Sequence, residues 1–233
     1  MNQINHNTRY LIRKRLVQVF FHFLFLAAIL FISSGDLSWA AAWAYLLIGF
    51  SSSLISTPVL LRKNPSVIAE RAQIKEDTKG FDKIFGLCAA ILGIGLLAVA
   101  GLDQRFMWTS VLPPSIQIFG AVLLAFGYSI FFWALIANKF FSRSVRIQDD
   151  RNHMVVQDGP YKFVRHPGYT GMILTILATP MLLASLWAII PALLSIIAYV
   201  FRTSLEDRTL IEELSGYRDY AARVTHRLVP IIW

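Results

Sequence analysis

Six apolar runs divide this chain: Leu16–Ser33, Trp39–Leu61, Ile84–Leu102, Ser115–Ala137, Tyr169–Ser185 and Trp187–Phe201. About 20 helical residues cross the hydrocarbon of a bilayer, so each run reads as a spanning helix or nearly one. The last two are short and carry Pro180 and Pro191. They form either one tight helical hairpin turning at Ala184-Ser185-Leu186 or a single bent element, and the hairpin is the favoured reading. The expected fold is an all-α integral membrane protein. It has six transmembrane helices, the last two a short hairpin, and then a cytoplasmic carboxy-terminal helix.

The polar positions between the runs orient the chain. With the amino terminus inside and six crossings, every one of the 22 basic residues except Arg105 falls in an inner segment, Lys75 included. Inner loops carry such an excess of Lys and Arg, and a five-crossing arrangement would split it. Both termini are therefore expected on the cytoplasmic side. Gly35-Asp36-Leu37-Ser38 reads as a tight outer turn, with Trp39, Trp43 and Trp108 at membrane interfaces. The loop Asn64–Asp82 reads as a short surface helix lying on the headgroups, with Pro65 in its first turn and Gly80 at its end.

Composition narrows the class. The chain is 56% hydrophobic with a mean hydropathy of +0.55, too apolar for an ordinary soluble domain. A net charge of +8 and a pI near 9.8 raise nucleic acid as a partner. The cations, however, sit in inner loops where anionic headgroups are the nearer partner, and nucleic-acid binding is set aside. The one cysteine, Cys88, lies in the third run, which excludes an intrachain disulfide and disfavours a thiolate. The first apolar run is longer than a signal-peptide core and reads as a retained helix.

Chemistry-bearing residues concentrate in one half. Residues 1–137 form amino-terminal membrane helices with few ionisable groups, whereas 138–233 gather polar residues at both ends of the last hairpin. Before it stand Arg146, Gln148, His153, Tyr161, Arg165, His166 and Tyr169; after it stand Arg202, Glu206, Asp207, Arg208, Glu212 and Glu213. A hairpin that leaves and re-enters one face brings the two sets together in a single pocket. Polar groups beside hydrocarbon are costly without partners, which makes such a cluster a functional-site hypothesis. Arg202 and Glu206, four residues apart, share a helical face and can pair. Glu212 and Glu213 read as a solvated face. Gly93-Ile94-Gly95-Leu96-Leu97-Ala98 imitates a dinucleotide fingerprint, but no strand precedes it, and close helix packing explains the glycines better. The histidines lack metal-ligand spacing, so no metal is expected.

The run His153-Met154-Val155-Val156-Gln157-Asp158-Gly159-Pro160-Tyr161, followed by Arg165-His166-Pro167-Gly168-Tyr169-Thr170-Gly171, resembles the signature of the isoprenylcysteine carboxyl methyltransferase family and its phospholipid methyltransferase relatives. Arg202, Glu206, Asp207, Tyr217, Tyr220 and Arg227-Leu228-Val229-Pro230 continue the pattern across 138–233, with Asp207 standing where the family has a second Glu. The resemblance, to the bacterial branch in hydropathy, implies an inner-membrane methyltransferase with S-adenosylmethionine as cofactor and a lipophilic acceptor entering from the bilayer. By the same resemblance, His153 with Met154, Val155 and Val156 holds adenine. Tyr161, His166 and Tyr169, on the loop carrying Pro167 and Gly168, take the amino-acid end, and Glu206 and Asp207 contact the cofactor. Arg202 orients the acceptor, and Arg202 and Glu206 are the expected catalytic pair. The acceptor is left open between a carboxylate, a phospholipid amine and a small thiol. A non-catalytic membrane scaffold and a nicotinamide-dependent membrane reductase are the readings outside this class.

Overall fold

The computed structural model describes residues 6–73 and 78–233; Lys75 lies outside them. Eight α-helices follow in order: α1 His6–Ser34, α2 Ala40–Lys63, α3 Pro65–Glu70, α4 Gly80–Phe106, α5 Pro114–Ala137, α6 Pro167–Leu182, α7 Ile189–Glu213 and α8 Tyr217–Arg223. Short 3-10 turns at Asp149–Arg151 and Gly159–Lys162 interrupt the long connection between α5 and α6. There is no strand among the described residues. Five helices, α1, α2, α4, α5 and α7, are long and apolar enough to cross a membrane. Their outward faces expose large apolar side chains such as Phe21, Ile55, Leu87, Val122 and Ile190, the surface a lipid solvent requires. The protein is an all-helical, multi-pass integral membrane protein.

The hairpin forms as expected, with unequal arms. Helix α6 has 16 residues, and at about 1.5 Å per residue it is shorter than the roughly 30 Å of hydrocarbon. The turn spans 183–188, with Ala184 at φ 54°. A buried carboxylate anchors it: Asp103 of α4 accepts from the Ser185 hydroxyl at 2.5 Å and from the Thr109 hydroxyl at 2.6 Å and amide at 2.7 Å. Each such bond to a charged acceptor contributes about 1.5–3 kcal/mol. The hairpin's far end is thus pinned to α4, which fixes how α6 and α7 descend towards the polar region.

Helices α5 and α6 form the most extensive helix pair, and glycines permit it. A Cβ on Gly127 would stand 2.9 Å from the carbonyl oxygen of Gly171, and one on Gly171 would stand 2.6 Å from the amide nitrogen of Phe131. Close backbone approach of this kind drives association where lipid removes the hydrophobic contribution. The packing expected at Gly93 and Gly95 does not occur: a side chain at either would meet nothing within 4 Å.

Two interfacial expectations also change. Trp43 and Trp108 are half exposed, but Trp39 is 6% exposed and packs with Leu30, Ala42, Leu96 and Ala188. Helix α3 does begin at Pro65, because the residue before a proline is kept from helical geometry and α2 stops at Lys63. It ends at Glu70, however, and Gly80 starts α4 instead of ending this helix. Nor does α3 lie on the surface. Val67, Ile68, Ala69 and Glu70 are all buried against α1, α2 and α5, making it a strut beneath the α5–α6 connection.

Candidate functional site

The connection from Asn138 to His166 is held at several points before it enters α6. Arg146 is 6% exposed and donates from Nη2 to Glu70 at 2.8 Å and from Nη1 to Asp150 at 2.9 Å. Gln148 donates to the Phe140 carbonyl at 2.5 Å and accepts from Arg151 at 2.6 Å. The Val145 amide donates to Asp82 of α4 at 2.8 Å. Asn138 donates to the Tyr161 hydroxyl at 3.2 Å, and the Tyr220 hydroxyl donates to the Tyr161 carbonyl at 2.7 Å. A loop this long needs such anchors if it is to present side chains in fixed positions.

Between this connection and α7 lies a cavity of about 790 Å³, mouth included. Of the expected residues, His153, Met154, Val155, Val156, Tyr161, His166, Gly168, Tyr169 and Glu206 line it. Of the polar set after the hairpin, Glu206 alone shares this cavity with the set before it. Arg202, Pro167 and Asp207 are not in its lining. Pro167 is buried as the first residue of α6.

His153 is a neutral group with a defined tautomer. Its Nδ1 accepts from the Gln148 amide at 3.3 Å, which leaves Nε2 as the donor. Burial, and then the charges of Arg146 and Arg151, bring its pKa down from 6.5 to about 4. Its ring sits 4.6 Å from that of Phe140. With 47° between their planes, His153 and Phe140 offer an apolar corner with one N–H, a wall against which a heteroaromatic ring can pack. Burial also raises the Tyr161 hydroxyl well above its ordinary value, so it stays protonated.

Asp207 corrects an expectation. It is fully buried and saturated, taking Arg165 through two bonds at 2.9 and 2.8 Å and Arg227 at 2.8 Å. It also accepts from Tyr217 at 3.0 Å and faces His166 Nε2 at 3.2 Å. A carboxylate so committed has no lone pair left for a cofactor. Its effect is positional. It orients His166, whose ring stacks on Tyr169 at 5.7 Å with 4° between planes, and Tyr169 in turn donates its hydroxyl to Glu206. The shorter carboxylate in place of Glu belongs to this hub. Burial and Asp207 raise the Tyr217 hydroxyl, which keeps it a donor.

Arg202 is also arranged otherwise than its spacing suggested. Its ion pair is with Asp82 of α4 at 2.7 Å, not with Glu206 on its own helix. Nη2 donates to the Arg143 carbonyl at 3.1 Å, and the guanidinium lies 4.9 Å from the Tyr169 ring centre and 4.5 Å from that of Phe85. It stands behind Tyr169, outside the cavity lining, with Nη1 uncommitted among the described residues.

Sequence reasoning placed Gln148 in the pocket but missed Ser144 and Asn138, which also line the cavity, and the carboxy-terminal strap. Backbone amides of Arg165 and His166 donate to carbonyls of His226 and Arg227 at 2.9 Å each, and Thr170 donates to Leu228 at 2.7 Å. The strap closes the floor beneath His166. Its Arg227-Leu228-Val229-Pro230 pattern was the only signal for it. Among the described residues, no group of three or more His, Cys, Asp or Glu is placed to hold a metal.

Comparison with known proteins falls on this same region. Residues 120–212 match the model of the isoprenylcysteine carboxyl methyltransferase (ICMT) family. A curated relative from Schizosaccharomyces pombe, Protein-S-isoprenylcysteine O-methyltransferase, is 32% identical over 100 residues. The match covers 41% of this chain and 41% of that relative.

Proposed function

Starting from residues 120–212, which match the model of the isoprenylcysteine carboxyl methyltransferase family, we propose that the chain is a member of that family and an S-adenosylmethionine-dependent membrane methyltransferase. Its acceptor is lipophilic, with a carboxylate as the reacting group, and its cavity opens to the cytoplasm of a bacterial inner membrane. The observation that carries this reading is the single cavity shared by His153, Tyr161, His166 and Tyr169 from one limb and Glu206 from the other. Six crossings, with α6 as the short fifth and both termini inside, are supported by the placement of every basic residue but Arg105.

The donor set suits the cofactor. The His153–Phe140 wall and its Nε2–H accept an adenine ring, and Glu206 can take hydrogen bonds from a ribose diol or an ammonium. When bound, S-adenosylmethionine supplies a methyl on a sulfonium, a carbon already activated towards displacement by an acceptor oxygen. The chain's own task is then alignment and exclusion of water. Tyr169 and Glu206 hold each other in place, and the Asp207 hub fixes the His166 ring against which Tyr169 rests. Arg202 stands behind Tyr169 with Nη1 uncommitted among the described residues, a position from which it can orient an anionic acceptor. A carboxylate acceptor carries no proton to remove, so no general base is required.

Calorimetry on the detergent-purified protein with S-adenosylhomocysteine tests the reading. Saturable binding is expected, and His166→Ala should weaken it at least tenfold, about 1.4 kcal/mol. Absence of binding to the folded wild-type protein would overturn it.

A further inference from the structure

Below the cofactor cavity, where α1, α3, α5 and the segment after α5 meet, lies positive charge that the cavity does not use. Arg71 directly follows α3. Its guanidinium lies 5.6 Å from the ring centre of Phe131 and 5.3 Å from that of Phe141. It has no carboxylate partner among the described residues, and its charged neighbours are Arg15, Arg143 and Arg202. Desolvation by burial, then those three cations, lower its pKa to about 9. The Arg143 side chain is exposed and likewise has no carboxylate partner among the described residues, while its carbonyl is fixed to Arg202. Among the described residues, Asp82 is already divided between Arg202 and the Val145 amide, and Glu206 is bonded to Tyr169.

A second observation comes from α1. Gln18, one turn beyond Arg15, donates from Nε2 to the Ala72 carbonyl at 3.1 Å, beside Arg71. Its Oε1 is buried without a hydrogen-bond partner among the described residues. A buried acceptor left open costs free energy unless a donor arrives. The corner therefore combines guanidiniums lacking an anion with an amide oxygen lacking a donor. Its walls are also walls of the cofactor cavity. Phe141 lines both, and Arg202 stacks over Tyr169, which faces the other side.

We infer that Arg15, Arg71 and Arg143, beside Arg202, seat the oxyanion of an anionic amphiphile whose head also presents an O–H or N–H donor to Gln18. Carboxylate and phosphate share the required chemistry, since a guanidinium fork binds either bidentately. In the methyl-transfer reading on which its catalytic meaning rests, this amphiphile is the acceptor, delivered from the bilayer to the far side of Tyr169. The seat adds Arg15 and Arg71, from the half of the chain outside residues 120–212, to the recognition of substrate.

Three probes titrated into the detergent-solubilised full chain test the inference: N-oleoylglycine (carboxylate beside an amide N–H), lysophosphatidic acid (phosphate beside a hydroxyl) and neutral monoolein. The wild-type protein should bind at least one anionic probe more tightly than monoolein, and the tighter of the two identifies the headgroup. Arg71→Gln should weaken that probe about tenfold, about 1.4 kcal/mol, and leave monoolein unchanged. Arg71→Lys should recover part of the loss. Arg143→Gln, at an exposed position, repeats the measurement if Arg71→Gln fails to fold. Monoolein binding as tightly as both anions, or anion binding unchanged in folded Arg71→Gln and Arg143→Gln, overturns the seat. S-Adenosylhomocysteine binding read on the same samples separates the two proposals. Its absence from wild-type protein that still binds anions by charge overturns the methyl-transfer reading and leaves the seat standing.

Discussion

Adjacent carboxylates on α7 serve opposite purposes, and burial decides which does what. Asp207 is sealed among Arg165, Arg227, His166 and Tyr217, whereas Glu206 faces the cavity with Tyr169 as its partner. Asp207→Asn should therefore destabilise the fold by about 3–5 kcal/mol, because it leaves buried cations uncompensated. A large drop in the midpoint of detergent-phase thermal unfolding is the readout. Glu206→Gln should shift that midpoint little while weakening S-adenosylhomocysteine binding; the reverse ranking would contradict the assignment. His153 gives a pH signature. Its folded pKa is near 4 against 6.5 unfolded, so the unfolded chain takes up the proton first. Its contribution to stability is complete above pH 6.5 and is lost as pH falls towards 4. His153→Gln should flatten the thermal midpoint across that window, and an unchanged slope would show that other groups control it. That His153, His166 and Glu206 would line one cavity was legible from their spacing and their resemblance to a family. The hub role of Asp207 was not, because four of its partners lie 10 to 42 positions away in the chain.

At the scale of elements, the hairpin was readable because two apolar runs flank a short break, and hydrocarbon permits few backbone solutions besides helix. Which glycines carry close packing was not readable. Gly93, Gly95, Gly127 and Gly171 look alike in sequence, yet only the latter two meet another backbone. Gly171→Leu should cost about 1–3 kcal/mol by overpacking α5 against α6, whereas Gly93→Leu should be silent. Equal effects in the same thermal assay would refute the α5–α6 contact. The misreading of α3 has a similar origin. Six residues are too few to show which face is buried, and its burial follows from Glu70 reaching Arg146, 76 positions on.

For the molecule as a whole, the tie between α4 and α7 joins the amino-terminal helices to the region that lines the cavity. Asp82→Ala strands the buried Arg202 and frees the Val145 amide at once. A loss of about 3–5 kcal/mol is expected, together with weaker cofactor binding through the displaced connection. Stability equal to wild type would remove Asp82 from this role. Orientation has its own check: reporter fusions at residue 1 and residue 233 should both report the cytoplasmic side, and a split result would exclude six crossings.

Hydropathy and charge placement, both sums over neighbouring residues, are what the amino-acid order alone could determine: a helical membrane protein, its inner segments, and the concentration of chemistry after residue 137. The family resemblance likewise rests on local spacing. Partnership was decided only in three dimensions. Spacing put Glu206 beside Arg202, yet Arg202 turned to Asp82, 120 positions away, and Glu206 to Tyr169. Spacing offered Asp207 as a ligand, and the fold enclosed it. The physical reason is that a buried charge takes whichever partner the packing brings within hydrogen-bond reach. In a helical bundle, that partner stands on another helix.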